Sequence, residues 1–244
     1  MNGPRGKWSV TIVLIILGVI WVGGIAAILH FMGTTTPAAQ AQQAAPLPNL
    51  PQKHVSLTLQ TFPNTPTDAW LQEHHYQFAQ PSITAIHFHP DWVRYGPRTD
   101  LVVPAHAVVT ITIENYDGST PILNHFYSQV QGTLGGTMTV NGKTVNGLDP
   151  SQVSHTFTIH SIPSDQQPWL YVSVPIQGEP DAVENAGADQ GLPPHPIVVQ
   201  FSFVTGAPGN YIWQCFDPCG TAFNGFGGPM STRGFMSGTF TVQG

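Results

Sequence analysis

Short segments in which apolar and polar residues alternate, separated by turn sequences, limit most strongly what this chain can fold into. Segments such as "AVVTITIEN" (Ala107–Asn115) and "SGTFTVQ" (Ser237–Gln243) alternate and are rich in β-branched residues, and "YDGST", "LGGT" and "VNGKTVNG" lie between such segments. Successive side chains of a strand point to opposite faces of a sheet, so this pattern is typical of half-buried strands joined by tight turns. The sequence from residue 55 onward therefore predicts a single-domain, all-β sandwich.

Other segments have the same strand character: "HVSLTLQTF", "SHTFTIH", "LYVSVPI" and "IVVQFSFV". "TDAWLQEHHYQFA" (Thr67–Ala79) is the best helical candidate beyond residue 33, and we expect at most a turn or two there. The acidic, Pro-containing stretch Gln177–Pro196 is interpreted as a long surface loop.

Composition excludes several classes of protein. Of the 244 residues, 8% are charged and the formal net charge is −6, so the basic surface of a nucleic-acid-binding protein is absent. A hydrophobic content of 41% is ample for a packed core. There is no Gly-x-Ser-x-Gly motif, and the acidic residues near the cysteines lie in predicted loops. We therefore do not expect an independent enzyme.

An N-terminal segment, Trp8–Met32, contains no Asp, Glu, Lys or Arg, and about 20 apolar residues suffice to cross a membrane. Arg5 and Lys7 precede it, which places the N-terminus in the cytoplasm. The prediction is a single-pass protein of the cell membrane: cytoplasmic residues 1–7, an anchor 8–32, a flexible linker 33–54 and an extracytoplasmic domain 55–244. The alternative is a signal peptide cleaved within "AAQAQQA" (Ala38–Ala44).

Three segments of the predicted domain resemble the cupredoxin family. "PGNYIWQC" (Pro208–Cys215) is similar to the strand that leads to a copper loop, and "MSGTFTV" (Met236–Val242) to the segment that closes that loop. "QVSHTFTI" (Gln152–Ile159) is similar to the segment that carries an upstream histidine ligand. The resemblance covers roughly residues 102–243 and implies a Greek-key cupredoxin-like sandwich. The membrane anchor and the Cys-x-x-x-Cys spacing resemble subunit II of cytochrome c oxidases. In that family the two cysteines bridge a binuclear copper centre, and Asp217 stands where the family has a Glu that offers its backbone carbonyl.

The resemblance implies copper as cofactor, one-electron transfer near a respiratory chain and a redox protein as partner. The candidate metal ligands are His155, Cys215, Cys219 and Met236, with His125 and Met230 as less favoured replacements. Copper that carries electrons uses soft thiolate and thioether ligands together with imidazoles. In the binuclear pattern the second cysteine is followed four residues later by a His and seven residues later by a Met. Here these positions are occupied by Phe223 and Phe226, and no His lies between Phe216 and Phe235.

Three interpretations of the cysteine loop remain open from the sequence. The cysteines bind one copper ion in a thiolate-rich site, or they form a Cys215–Cys219 disulfide, as an oxidising compartment favours. In the third, the domain is a metal-free accessory or interaction module. His125 is the best candidate to supply a second imidazole. His87 and His89 would share one face of a strand, whereas His160 would face away from His155.

Overall fold

The computed structural model describes residues 53–78, 89, 91–162, 168–180, 192–217 and 228–244. Within these residues the chain forms short strands, one short helix and four 3-10 turns. The strands are β1 (Lys53–Phe62), β2 (Arg94–Gly96), β3 (Leu101–Pro104), β4 (Ala107–Asn115), β5 (Met138–Val140), β6 (Lys143–Val145), β7 (Val153–Ser161), β8 (Tyr171–Gln177), β9 (Ile197–Val204), β10 (Gly209–Gln214) and β11 (Ser237–Gln243). The helix is Asp68–Glu73, and the 3-10 turns are His125–Ser128, Leu134–Gly136, Pro150–Gln152 and Pro229–Ser231.

The described strands form two sheets. The first has the order β2-β1-β4-β9-β5-β6, and the second has the order β3-β11-β10-β7-β8. β1 pairs in parallel with β4 and β3 in parallel with β11, whereas the other pairs are antiparallel. The prediction of an all-β, two-sheet architecture is confirmed.

One hydrophobic core lies between the sheets. Ile111 and Ile113 of the first sheet and Phe157 and Trp213 of the second are fully buried members of it. They occupy alternate positions along their strands, as the period-2 pattern requires. The indole N–H of Trp213 donates to the backbone oxygen of Thr99 at 2.6 Å, so this polar group is satisfied inside the core.

The long alternating segments fold as predicted. The strands at Ala107–Asn115, Ile197–Val204 and Ser237–Gln243 have the predicted bounds. "VNGKTVNG", interpreted only as a turn sequence, contributes instead to a hairpin in which β5 and β6 are joined by Asn141 and Gly142. Both residues have positive φ, 47° and 80°, which is typical of the tight turn that suits the twist of two paired strands.

The predicted helical turn is also present, at Asp68–Glu73. Its N-cap is Thr67, whose hydroxyl accepts a hydrogen bond from the Trp70 N–H at 3.3 Å. Trp70 packs edge-on against Phe62 at the end of β1, with ring centroids 5.3 Å apart. Tertiary packing thus supports a helix too short to be stable alone.

Two predicted segments fall largely or wholly outside the described residues. The anchor, residues 8–32, is one of them, and among the residues that are described no helix is long and apolar enough to span a bilayer. The predicted linker, residues 33–54, is described only from Lys53, where β1 begins. The anchor and the linker therefore stay predictions.

Candidate metal centre

Cys215 and Met236 lie side by side at one end of the second sheet. Gln214, the last residue of β10, is paired with Ser237, the first residue of β11. The next pair outward is Cys215 and Met236, and the Cys215 N–H donates to the Met236 carbonyl at 3.0 Å. Residues opposite each other in an antiparallel pair place their side chains on the same face. Both side chains are completely buried in the core cluster.

The sulfur of Cys215 has two backbone neighbours. The Thr156 N–H, from β7, donates to Sγ, and the thiol donates to the carbonyl of Asp217, each at 3.4 Å. The Thr156 hydroxyl in turn accepts from the Phe216 N–H at 2.7 Å, which ties the first residue after Cys215 to β7. A backbone N–H directed at sulfur favours the thiolate, the form that binds metals. The Asp217 carbonyl therefore lies next to the Cys215 sulfur.

His155 lies beside the thiol because β7 is irregular there. Between Val153 and His155 the register of β7 against β8 shifts, and such bulges re-aim side chains next to functional sites. The imidazole is 3% exposed and its Nε2 lies 2.8 Å from Oδ2 of Asp117. Burial alone would lower the pKa of His155, but hydrogen bonds with Asp117 and with Cys215 raise it to about 10.

A second carboxyl group is buried at the same end of the sandwich. Asp217 is 2% exposed, and its Oδ2 has no hydrogen-bond partner. Burial raises the pKa of Asp217 to about 7; the negative charge of an ionised Cys215 contributes to the rise, and His155 opposes it. This end of the sandwich therefore holds an acid, an imidazole and a thiol largely out of water.

The structure places the predicted ligands as follows. His155, Cys215 and Met236 come together, whereas Cys219 lies outside the described residues, as do Phe223 and Phe226. Met230, in the turn Pro229–Ser231, is 2% exposed and belongs to the same core cluster. The carbonyl of Pro229 accepts from the Met236 N–H at 3.1 Å, so both methionines lie close to the end of β10.

His125 lies in a turn near the surface. It begins the 3-10 turn His125–Ser128, and its side chain is exposed. A short surface turn held by its own backbone, with the Ser128 hydroxyl donating to the His125 carbonyl at 2.9 Å, keeps this imidazole at the surface. In the described part of the chain no hydrogen bond joins His125 to Cys215, and the role of His125 as a second imidazole stays a prediction.

The structure also places two of the three other histidines that the sequence analysis singled out. His160 faces away from the core residues of β7, as predicted, with its Nδ1 3.1 Å from the Ser161 carbonyl oxygen. His89 stacks on Trp92 with ring centroids 3.7 Å apart, and Trp92 packs against Phe235, next to Met236. His87 lies outside the described residues, so the proposed pair of His87 and His89 stays a prediction.

The donor set fits a soft metal ion better than a hard one. Over the described ranges, no three His, Cys, Asp or Glu side chains are grouped so that they could hold a metal. A site here would therefore depend on sulfur: Cys215, the thioether of Met236 and, from outside the described residues, Cys219, with His155 as the imidazole. Thiolate and thioether ligands select Cu(I), and imidazole also suits copper. The residues present thus fit copper in a sulfur-rich site.

Asp117 was missed by the sequence analysis. "YDGST" was interpreted only as a turn sequence, and the contact between Asp117 and His155 joins residues 38 positions apart. Asp117 does act in the turn, since its Oδ1 accepts from the Gly118 N–H at 2.8 Å. No local pattern distinguishes a turn aspartate that also reaches a histidine, so only the folded arrangement identifies this residue.

Comparison with known proteins finds only weak structural similarities. No family model matches the chain, and no curated protein matches it. Among solved structures the chain is similar to auracyanin B, with 14% identity, a TM-score of 0.27 and coverage of 78% of this chain and 89% of that one. It is also similar to a multicopper oxidase, with 8% identity, a TM-score of 0.29 and coverage of 80% of this chain and 45% of that one. Both identities and both TM-scores are too low to support a statement about the site.

Proposed function

We propose that this chain is a membrane-anchored, extracytoplasmic electron carrier that binds one copper ion through His155, Cys215, Cys219 and Met236. When bound, the copper would carry one electron between Cu(I) and Cu(II). The proposal places the protein near a respiratory chain, with a redox protein as its partner. The support for the location is the uncharged segment 8–32 and the resemblance of the cysteine loop to subunit II of cytochrome c oxidases.

The observation that carries the proposal is the pairing of Cys215 with Met236. Their backbone hydrogen bond of 3.0 Å brings a thiol and a thioether to the same face at the end of two adjacent strands. A thiolate and a thioether are the soft donors that Cu(I) prefers. The neighbouring imidazole and the Thr156 N–H add a nitrogen ligand and a group that favours the thiolate.

The scaffold supports electron transfer for a second reason. Cys215 and Met236 follow and precede hydrogen-bonded strands and are buried, so these two donor atoms cannot rearrange freely. A rigid donor set limits how far the ligands move when the metal changes its charge. The residues' own contribution is thus to hold sulfur and nitrogen donors in place and to exclude water.

The direct test is copper binding by the full chain, purified in detergent and reduced. We expect one Cu(I) per chain in competition with a Cu(I) chelator, and a thiolate-to-copper absorption band after oxidation. Cys215→Ser should lose both. Absence of stoichiometric copper in the wild type, with no free thiol in the protein as isolated, would refute the proposal and favour a metal-free module with a Cys215–Cys219 disulfide.

Methionine variants identify the thioether ligand. Met236→Leu should weaken Cu(I) binding, because Leu has similar volume but no sulfur. Met138→Leu is the matched control: Met138 is likewise buried, at 2% exposed, but it belongs to β5 of the first sheet, and its variant should bind copper as the wild type does. If Met230→Leu weakened binding and Met236→Leu did not, Met230 would replace Met236 in the proposed site.

A further inference from the structure

Both carboxyl oxygens of Asp117 make hydrogen bonds. Oδ2 lies 2.8 Å from Nε2 of His155, and Oδ1 accepts from the Gly118 N–H at 2.8 Å. Asp117 is only 9% exposed as a residue, and the imidazole is 3% exposed. A carboxylate held in this way can only accept hydrogen bonds, so Nε2 keeps its proton whether the imidazole ring is neutral or protonated.

The backbone of Asp117 is fixed as firmly as its side chain. The Asn115 side chain is buried, and its amide donates to the Asp117 carbonyl at 3.0 Å and to the Gln177 carbonyl at 3.0 Å. The Glu179 N–H donates to the same Asp117 carbonyl at 2.9 Å. These bonds connect the end of β4 with the end of β8, so the carboxylate is placed by the sheets and not by a free loop.

We infer that Asp117 is a positioning residue for metal binding: by holding the proton on Nε2 of His155, it leaves Nδ1 as the nitrogen that takes the copper. This inference rests on the proposed function. Metal-bound histidines commonly donate their other N–H to a carboxylate or a carbonyl, which fixes the ring and its tautomer, and loss of such a partner weakens metal binding about 10- to 100-fold. Asp117 is the described residue that meets this requirement.

Asp117→Asn is the informative variant because it reverses the hydrogen bond. The Gly118 N–H still requires an oxygen, so the Asn amide oxygen faces Gly118 and its NH₂ group faces His155. Nε2 must then accept a hydrogen bond, and the proton of a neutral imidazole moves to Nδ1. A protonated Nδ1 cannot bind a metal ion, whereas the shape of the side chain is unchanged.

The control is Asp149→Asn. Asp149 makes the same kind of turn contact, since its Oδ1 accepts from the Ser151 N–H at 2.8 Å, but it is exposed and makes no hydrogen bond with His155, Cys215 or Met236. The charge change is identical in the two variants. A difference between them therefore reports the contact with His155 and not the net charge of the protein.

The experiment has one readout without metal and one with it, both on the full chain labelled with ¹⁵N-histidine. In the metal-free wild type and in Asp149→Asn, we expect a downfield Nε2–H signal of a buried, hydrogen-bonded imidazole, and in Asp117→Asn its loss. With Cu(I) alone as the probe, Asp117→Asn should bind about 10- to 100-fold more weakly than the wild type, and Asp149→Asn should match the wild type.

The outcomes separate the two proposals. Copper binding by Asp117→Asn within twofold of the wild type, or an unchanged Nε2–H signal, would overturn the positioning role and leave the copper site standing. A wild type that shows the Nε2–H signal but binds no Cu(I) would overturn the proposed function and the positioning role together. Loss of the signal and of affinity in Asp117→Asn alone would support both.

Discussion

The buried carboxyl group of Asp217 allows a quantitative prediction about stability. The residue is 2% exposed, its Oδ2 has no hydrogen-bond partner, and its pKa is raised from 3.8 to about 7, chiefly by burial. Asp217→Asn has nearly the shape of the protonated acid but cannot ionise. The variant therefore removes the pH dependence that this group gives to folding and leaves the packing of the loop nearly unchanged.

The direction in which stability changes with pH follows from proton binding. Between pH 3.8 and about 7 the folded chain holds the Asp217 proton and the unfolded chain has lost it. The free energy of unfolding of the wild type therefore falls as pH rises through this interval. At about 1.4 kcal/mol per pH unit the whole interval corresponds to roughly 4 kcal/mol. Nearby solvent screens part of this, so we expect about 1 to 2 kcal/mol between pH 5 and pH 8.

Urea unfolding of the reduced, metal-free full chain at pH 5 and at pH 8 measures the effect. The quantity of interest is the stability of Asp217→Asn minus that of the wild type, because other titrating groups largely cancel in this difference. It should be about 1 to 2 kcal/mol more favourable to the variant at pH 8 than at pH 5.

Asp149→Asn, at a carboxyl group that is exposed, should show no such gain at pH 8. Equal differences at the two pH values for Asp217→Asn, or a gain at pH 5 instead, would refute the conclusion that burial holds this carboxyl group protonated.

Three further variants test the packing around the site. Trp213→Phe should lower the free energy of unfolding by about 2 to 4 kcal/mol, because it leaves a cavity and removes the hydrogen bond that the indole donates to the Thr99 carbonyl; a loss below 1 kcal/mol in urea unfolding would contradict this. Thr156→Val should lose about 1 to 3 kcal/mol in thermal unfolding, because the Phe216 N–H loses its acceptor, and an unchanged midpoint would show that water replaces it. A Cβ at Gly238 would collide with the Thr99 carbonyl, so Gly238→Ala should unfold at a markedly lower urea concentration than the wild type, and a wild-type midpoint would show that β3 can shift.

The sequence predicts the long strands well because their pattern is local. β4 and β11 carry alternation over a whole strand, and their bounds in the structure are the predicted ones. β2, β3, β5 and β6 have three or four residues each, too few to show a period, and their pairing partners decide their conformation. The order of the strands in each sheet could likewise not be predicted from the sequence, because a parallel pair such as β1 and β4 joins distant segments.

The candidate site divides in the same way. His155, Cys215 and Met236 were found because each lies within a short motif next to a strand. Asp117 could not be found, because its role depends on a bulge in β7 that directs His155 toward the end of β4. The place of His125 in a surface turn could not be predicted either, because closeness to a strand end does not determine which way such a turn points.

The parallel pairing of β3 with β11 has a consequence for the order in which the site is assembled during synthesis. Thr239 of β11 bonds to Asp100, 139 residues earlier, so the second sheet is incomplete until this late part of the chain has been made. About 30 residues separate Cys215 from the end of β11, which takes roughly 1 to 6 s to translate. During that interval the thiol lacks the strand that buries it. Oxidants in the solvent can therefore reach the thiol before the second sheet is complete, whereas the finished fold buries it completely.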